Sequence, residues 1–300
     1  MPRAANIATI SHQRNRQKIY MALTTLIQVN ELAANLDNPR FVIFDCRHEL
    51  TNPGYGEAAY AQSHLPNAHF ASVDRDLSAR PDGKNGRHPL PDPDTFAAWL
   101  GSQGVTDGVQ VVGYDNAAGV YASRLWWMLR WLGHDAVAVL DGGWQAWEQA
   151  GKPTTAEIPR ASAAKFTRRL RDVNVDAEFV LANLESGNML LIDARSNDRF
   201  HGKNETVDPV AGHIPGALNR LFKNNVSENG QFRPGAELRG EFRALIGDVP
   251  VQNVVHQCGS GVSACHNLLA MELAGMSGSR LYPGSWSEWI TDPKRPVVTD

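Results

Sequence analysis

Val254-Val255-His256-Gln257-Cys258-Gly259-Ser260-Gly261-Val262-Ser263-Ala264 runs from an apolar tetrad through a glycine-bearing turn into a second apolar segment. The tetrad reads as a short buried strand. Val262 to Ala274, with Leu268, Leu269, Met271 and Leu273, reads as a helix closed by Gly275. Strand, tight turn and helix are the building unit of an α/β domain, and this one sets a cysteine at the helix's positive end. Backbone N–H groups of the turn and first helical residues lack intrahelical partners and favour an anion there, a thiolate included. Gly259 and Gly261 flank Ser260 and let the backbone curl around that anion. A cysteine that merely fills a core needs no such cradle.

The chain also repeats itself. Ala34-Asn35-Leu36-Asp37, Phe41 to Asp45 and Arg47 return 148 positions later as Ala182-Asn183-Leu184-Glu185, Met189 to Asp193 and Arg195. His64-Leu65-Pro66-Asn67-Ala68 returns as His213-Ile214-Pro215-Gly216-Ala217, and Gly142, Trp144 and Trp147 return as Gly284, Trp286 and Trp289. A period this long marks a duplicated domain, not a solenoid. Short strands (Val42 to Phe44, Val111 to Tyr114, Ala136 to Leu140) alternate with helical stretches such as Val120 to Trp131. The expected fold is therefore α/β, with two tandem domains, each a mostly parallel sheet flanked by helices.

Residues 21–151 form the first expected domain and 173–300 the second. Between them, 152–172 is rich in Ala, Pro, Thr and Arg without apolar periodicity, as a surface linker is. Residues 1–20 are polar and basic, and read as a disordered tail or as sequence ahead of a true start at Met21. Aligning Val111-Val112 with Val254-Val255 puts Asp115 where Cys258 stands, so the first half has no nucleophile. Its expected role is to close over the second half's site, since pockets favour domain interfaces. Trp126, Trp127 and Trp131 read as core and interdomain packing.

Composition narrows the function. With 300 residues, 42% hydrophobic and 20% charged, the chain has the make-up of a globular protein with two cores. A net charge of −3 gives no electrostatic case for nucleic acid, and no apolar run approaches the ~18 residues of a membrane span. Cys46, Cys258 and Cys265 are too few for a disulfide framework or a zinc site of the usual ligand count. A reducing cytoplasm is the expected compartment, with no metal or cofactor. Cys265 reads as core, and His256 as a strand residue.

The two Asp-x-Arg strand ends, the two His-(Leu/Ile)-Pro-x-Ala turns, Gly-Ser-Trp-Ser-Glu-Trp from Gly284 and the Cys258 loop resemble the rhodanese superfamily. Within it they are similar to tandem-domain sulfurtransferases of the 3-mercaptopyruvate type, from Thr24 to the C-terminus. The resemblance implies ping-pong transfer: Cys258 takes the donor's outer sulfur as a persulfide and passes it to a thiol, a thioredoxin-like dithiol or cyanide. It implies an anion-cradling loop of Gly259, Gly261, Val262 and Ser263, and a relay joining Ser260 to His64 of the first half, with Glu57 the nearest acid. Arg199 matches the arginine that binds the donor's anionic end. A second arginine usual before the Gly-His-Ile-Pro turn is absent from Glu205-Thr206-Val207-Asp208-Pro209-Val210, which keeps thiosulfate as the alternative donor. Against thiosulfate, the lysine typical of thiosulfate-using members falls where Ser260 stands. Arg195, Asp193 and His213 read as scaffold.

Two rivals are weaker. Cysteine phosphatases need an arginine six residues after the nucleophile, and that position is Ala264. A non-catalytic binding module has no use for Cys258, both glycines, Ser260 and Arg199 together.

Overall fold

The computed structural model describes residues 22–299, so the expectation for residues 1–20 falls outside the described residues. Five short strands build the first sheet: β1 (Leu26–Ile27), β2 (Phe41–Asp45), β3 (Ala68–Phe70), β4 (Gln110–Tyr114) and β5 (Val137–Leu140). Four build the second: β6 (Leu190–Asp193), β7 (Leu218–Asn219), β8 (Val254–Gln257) and β9 (Arg280–Leu281). The orders are β1-β5-β4-β2-β3 and β7-β6-β8-β9, and every pairing is parallel. Helical crossovers cover both faces, which is why β4 and β8 are buried along their whole length. Among the described residues no helix is long and apolar enough to cross a membrane.

The duplication extends to single bonds. In each Asp-x-Arg motif, Nε and Nη2 of the arginine donate to the aspartate, with Nη2 to Oδ2 at 2.7 Å in both Asp45–Arg47 and Asp193–Arg195. Each guanidinium lies over the repeated tryptophan, Arg47 over Trp144 at 4.0 Å and Arg195 over Trp286 at 4.7 Å. Trp144 N donates to Asp115 O, and Trp286 N donates to Cys258 O. Asp115 and Cys258 are therefore structural equivalents.

The halves meet through the helix Val120–Trp131 and the helix Ala264–Leu273, whose buried faces share one apolar core with Trp126, Trp127 and Trp131. Residues 156–173 have no regular secondary structure, but backbone bonds hold the segment against the first half, from Ala164 N to Gly101 O and from Arg169 N to Leu132 O.

Burial leaves two imidazoles of the second half unwilling to ionise. His256 is pushed down to about 3 by burial, and His266, whose Nε2 lies 3.0 Å from Ala118 O across the interface, to about 4. Both folded values lie below the unfolded value near 6.5. Their contribution to stability is therefore complete above that pH and is lost as pH falls towards 4 and then 3. Two protons taken up on unfolding make stability fall by roughly 2 to 3 kcal/mol per pH unit below pH ~6. Urea unfolding across pH 7 to 4 checks this, and His256→Asn should remove about half of the slope from these two groups.

Candidate active site

Cys258 sits where β8 ends, 2% exposed, at the floor of a cavity of about 380 Å³ between the halves. Its Sγ accepts the Gly261 N–H at 3.2 Å, and its own N–H donates to Ser285 Oγ at 3.1 Å. Gly261 makes the turn with φ +77°, a left-handed conformation. The helix begins at Ala264, two residues later than the apolar pattern predicts. The turn is the reason: Val262 and Ser263 belong to the loop, and the first helical bonds are tight ones from Cys265 N to Val262 O and from His266 N to Ser263 O. Ser260, Val262 and Ser263 line the cavity with Cys258 and Gly259.

Cys265 is fully buried, its Sγ donates to Gly261 O, and burial pushes its thiol up to about 12. It is a protonated core thiol.

The histidine beside Ser260 is not His64. His64 is fully buried, stacked on Tyr60 at 4.0 Å, with Nδ1 2.7 Å from Tyr60 O and Nε2 3.1 Å from Glu157 O. Its backbone bridges to Thr155, as that of His213 bridges to Val298, and His213 stacks on Phe200 in the same way. Both histidines pin the returning chain after each domain. Glu57 is also remote: it faces Arg75 at the surface, its side chain 70% exposed.

His88 takes the place expected of His64. Its Nδ1 lies 2.7 Å from Ser260 Oγ and its Nε2 3.1 Å from Asp74 Oδ1. A carboxylate only accepts, so Nε2 carries the proton and donates to Asp74, and the Ser260 hydroxyl donates to Nδ1. The bond from His88 holds the Asp74 carboxyl below its ordinary range. The order of roles is that of a Ser-His-Asp triad with the ring nitrogens exchanged. Arg124, fully buried, donates to His88 O at 3.1 Å and to Gly261 O at 3.2 Å, fixing the His88 loop of one half against the Cys258 loop of the other.

Arg199 faces the same cavity. Its Nε donates to Glu205 and its Nη2 to Asp208 Oδ2 at 2.9 Å. Burial raises the Glu205 carboxyl, but bonds from Arg199 and the backbone outweigh it and the group stays below its ordinary range. Arg195 also lines the cavity while bound to Asp193. Arg87 and His48 come from the first half. None of Asp74, Arg87, His88 or Asp208 stands out in the sequence by motif. The available signal is Asn85-Gly86-Arg87-His88-Pro89, a polar run punctuated by Gly and Pro, the kind of loop that carries function on a rigid scaffold.

Asp115, in the position of Cys258, is fully buried and accepts from four backbone N–H groups, of Ala117, Gly119, Tyr121 and Ala122, at 2.7 to 2.9 Å. The first half's loop thus closes its backbone N–H groups on its own side chain.

Together these features define a duplicated α/β protein with a buried cysteine in a glycine-bearing loop and a Ser260–His88–Asp74 chain that crosses the domain interface. The chain belongs to the rhodanese-like domain family, whose model matches residues 28–150 and 176–292, and within it to the tandem-domain sulfurtransferases. It is 46% identical over 282 residues to a probable 3-mercaptopyruvate sulfurtransferase of Pseudomonas aeruginosa, covering 93% of this chain and 99% of that one. Bovine thiosulfate sulfurtransferase is 37% identical over 247 residues, covering 80% and 82%. SseA of Escherichia coli, a 3-mercaptopyruvate sulfotransferase with the rhodanese fold, superposes with a TM-score of 0.75 at 31% identity, over 89% of this chain and all of that one.

Replacing His88 by alanine is expected to lower kcat about 10²-fold or more, by removal of an acid–base group, with Tm nearly unchanged. His64→Ala is expected to do the reverse, lowering stability by roughly 1 to 3 kcal/mol through a carbonyl left without its ring N–H donor and a lost stack, with kcat kept. Kinetics and thermal melts on the two variants decide between them.

Proposed function

We propose that the chain transfers sulfane sulfur from 3-mercaptopyruvate through a Cys258 persulfide to a thiol, a thioredoxin-like dithiol or cyanide. The Cys258 thiolate attacks the donor sulfur, the S–S bond forms and the C–S bond breaks, and its electron pair passes to carbon as the enolate of pyruvate. The proton lost by the donor thiol is the one this carbon gains, and Ser260, backed by His88 and Asp74, carries it. The persulfide anion sits in the N–H cradle of Gly259, Gly261, Val262 and Ser263, and Arg199 holds the donor's carboxylate. The acceptor then attacks the outer sulfur and returns Cys258 to its thiolate.

The observation that carries this reading is the short bond from Ser260 to His88 beside Cys258. At that position the loop offers a proton relay, not a cation for a doubly charged donor. Thiosulfate is the second reading, favoured by the identity to thiosulfate sulfurtransferases. Cys46, Cys258 and Cys265 are buried free thiols, which fits a reducing cytoplasm, and the net charge of −3 offers nucleic acid nothing. The test is kcat/KM for both donors with cyanide as acceptor. A ratio favouring mercaptopyruvate by more than ~10-fold, about 1.4 kcal/mol of differential transition-state binding, supports the first reading, and the opposite ratio supports the second.

A further inference from the structure

The arginine missing from the stretch before the Gly-His-Ile-Pro turn has a counterpart in the other half. The loop carrying Arg87 docks on the second domain: Arg87 N donates to Ser287 Oγ at 3.0 Å, and Thr291 Oγ1 donates to Lys84 O at 3.4 Å. From there the Arg87 side chain enters the Cys258 cavity. A Cβ built on Gly259, next to the nucleophile, would stand 2.9 Å from Arg87 Nη2 and 3.8 Å from Arg199 Nη2. One carboxylate lies between the guanidinia. Asp208, its side chain 1% exposed, accepts Arg87 Nη1 on Oδ1 and Arg199 Nη2 on Oδ2. Arg87 Nε is buried with no hydrogen-bond partner.

This is more than an interdomain ion pair. Such a pair needs one cation and one anion, whereas here a buried acid yokes two cations beside the reacting sulfur, and Glu205 already serves Arg199 from behind. With Asp208 and Glu205 each cancelling one charge, a donor with a single negative charge meets two fork donors without a large excess of positive field. A dianion would want that excess.

We propose that Arg87, reaching in from the first half, is the second cation of the donor site, and that Asp208, by yoking it to Arg199, selects donors whose anionic end carries one charge. The proposal rests on the sulfur-transfer reading and names its specificity device.

The experiment compares wild type, Arg87→Ala, Arg87→Lys and Asp208→Asn for kcat and KM on mercaptopyruvate and thiosulfate. Beside it, protection of Cys258 from iodoacetamide is measured with pyruvate as the probe. Arg87→Ala should raise KM for mercaptopyruvate at least about tenfold with kcat changed far less, and Arg87→Lys should recover part of it. Asp208→Asn should shift the kcat/KM ratio towards thiosulfate by about tenfold or more, since removing one negative charge helps a dianion more than a monoanion. Unchanged KM values in Arg87→Ala, or an unchanged donor ratio in Asp208→Asn, overturns the proposal while leaving sulfur transfer intact. Should wild type use neither donor, the sulfur-transfer reading fails instead. The alkylation assay then still decides: protection by pyruvate lost in Arg87→Ala upholds the clamp, and protection retained removes it.

Discussion

Cys258→Ala should reduce sulfur transfer from either donor to the uncatalysed background, a loss on the order of 10⁴-fold or more in kcat/KM, as removal of a covalent nucleophile does. The fold should survive, because the change leaves a small side chain where a small one was buried and orphans only the Gly261 N–H, which faces the cavity loop. Intact-mass analysis after incubation with donor should record the gain of one sulfur atom in wild type and none in the variant. Cys265→Ala is the matched control. Its thiol is a buried, protonated donor to Gly261 O, so it should keep the sulfur adduct. Turnover surviving in Cys258→Ala would sink the persulfide mechanism. An adduct lost in Cys265→Ala at unchanged stability would make the second cysteine a participant.

Gly261→Ala should also be damaging, without touching a reacting atom. At φ +77° the added Cβ would stand 2.2 Å from Pro283 O and 2.9 Å from Pro283 C, both backbone atoms with no freedom to give way. The turn must open, and three bonds go with it: Gly261 N–H to Cys258 Sγ, and Arg124 and Cys265 to Gly261 O. A left-handed alanine alone costs about 1 kcal/mol, and the clash adds more, so unfolding free energy should fall by roughly 3 kcal/mol or more. kcat/KM should fall at least about 10²-fold as the cradle loses its geometry. Gly259→Ala tests the distinction. Its Cβ meets only the ends of the Arg87 and Arg199 side chains, so it should fold normally and disturb donor binding instead. Urea unfolding and steady-state kinetics on both variants separate the effects, and a Gly261→Ala protein with wild-type values would show that this turn does not set the cradle.

Local patterns made the scaffold readable. β8 spans the four residues read as a buried strand, and the Val120–Trp131 helix has the predicted bounds, because each is buried over nearly its whole length. The repeat made Asp115 and Cys258 equivalent, and the shared bond from the following tryptophan agrees. It was the family resemblance that put His64 in the relay. The partner of His64 in the second half is His213, a residue read as scaffold, and both prove to hold returning chain against their domains. His88, Asp74, Arg87 and Asp208 were hidden for a different reason. They reach the site from loops of both halves, and the contacts that bring them together span as many as 200 positions, a separation no spacing rule covers.

The carboxylate of Asp115 is an anion delivered to its cradle on a one-carbon tether. An attached ligand acts at an effective concentration no dissolved salt matches, commonly millimolar or far above for short links. The first half is therefore permanently occupied from within, and sulfate, sulfite or thiosulfate titrated into the protein should saturate at one ion per chain despite two homologous loops. The occupied loop shows how this fold wraps backbone N–H groups around a buried carboxyl group.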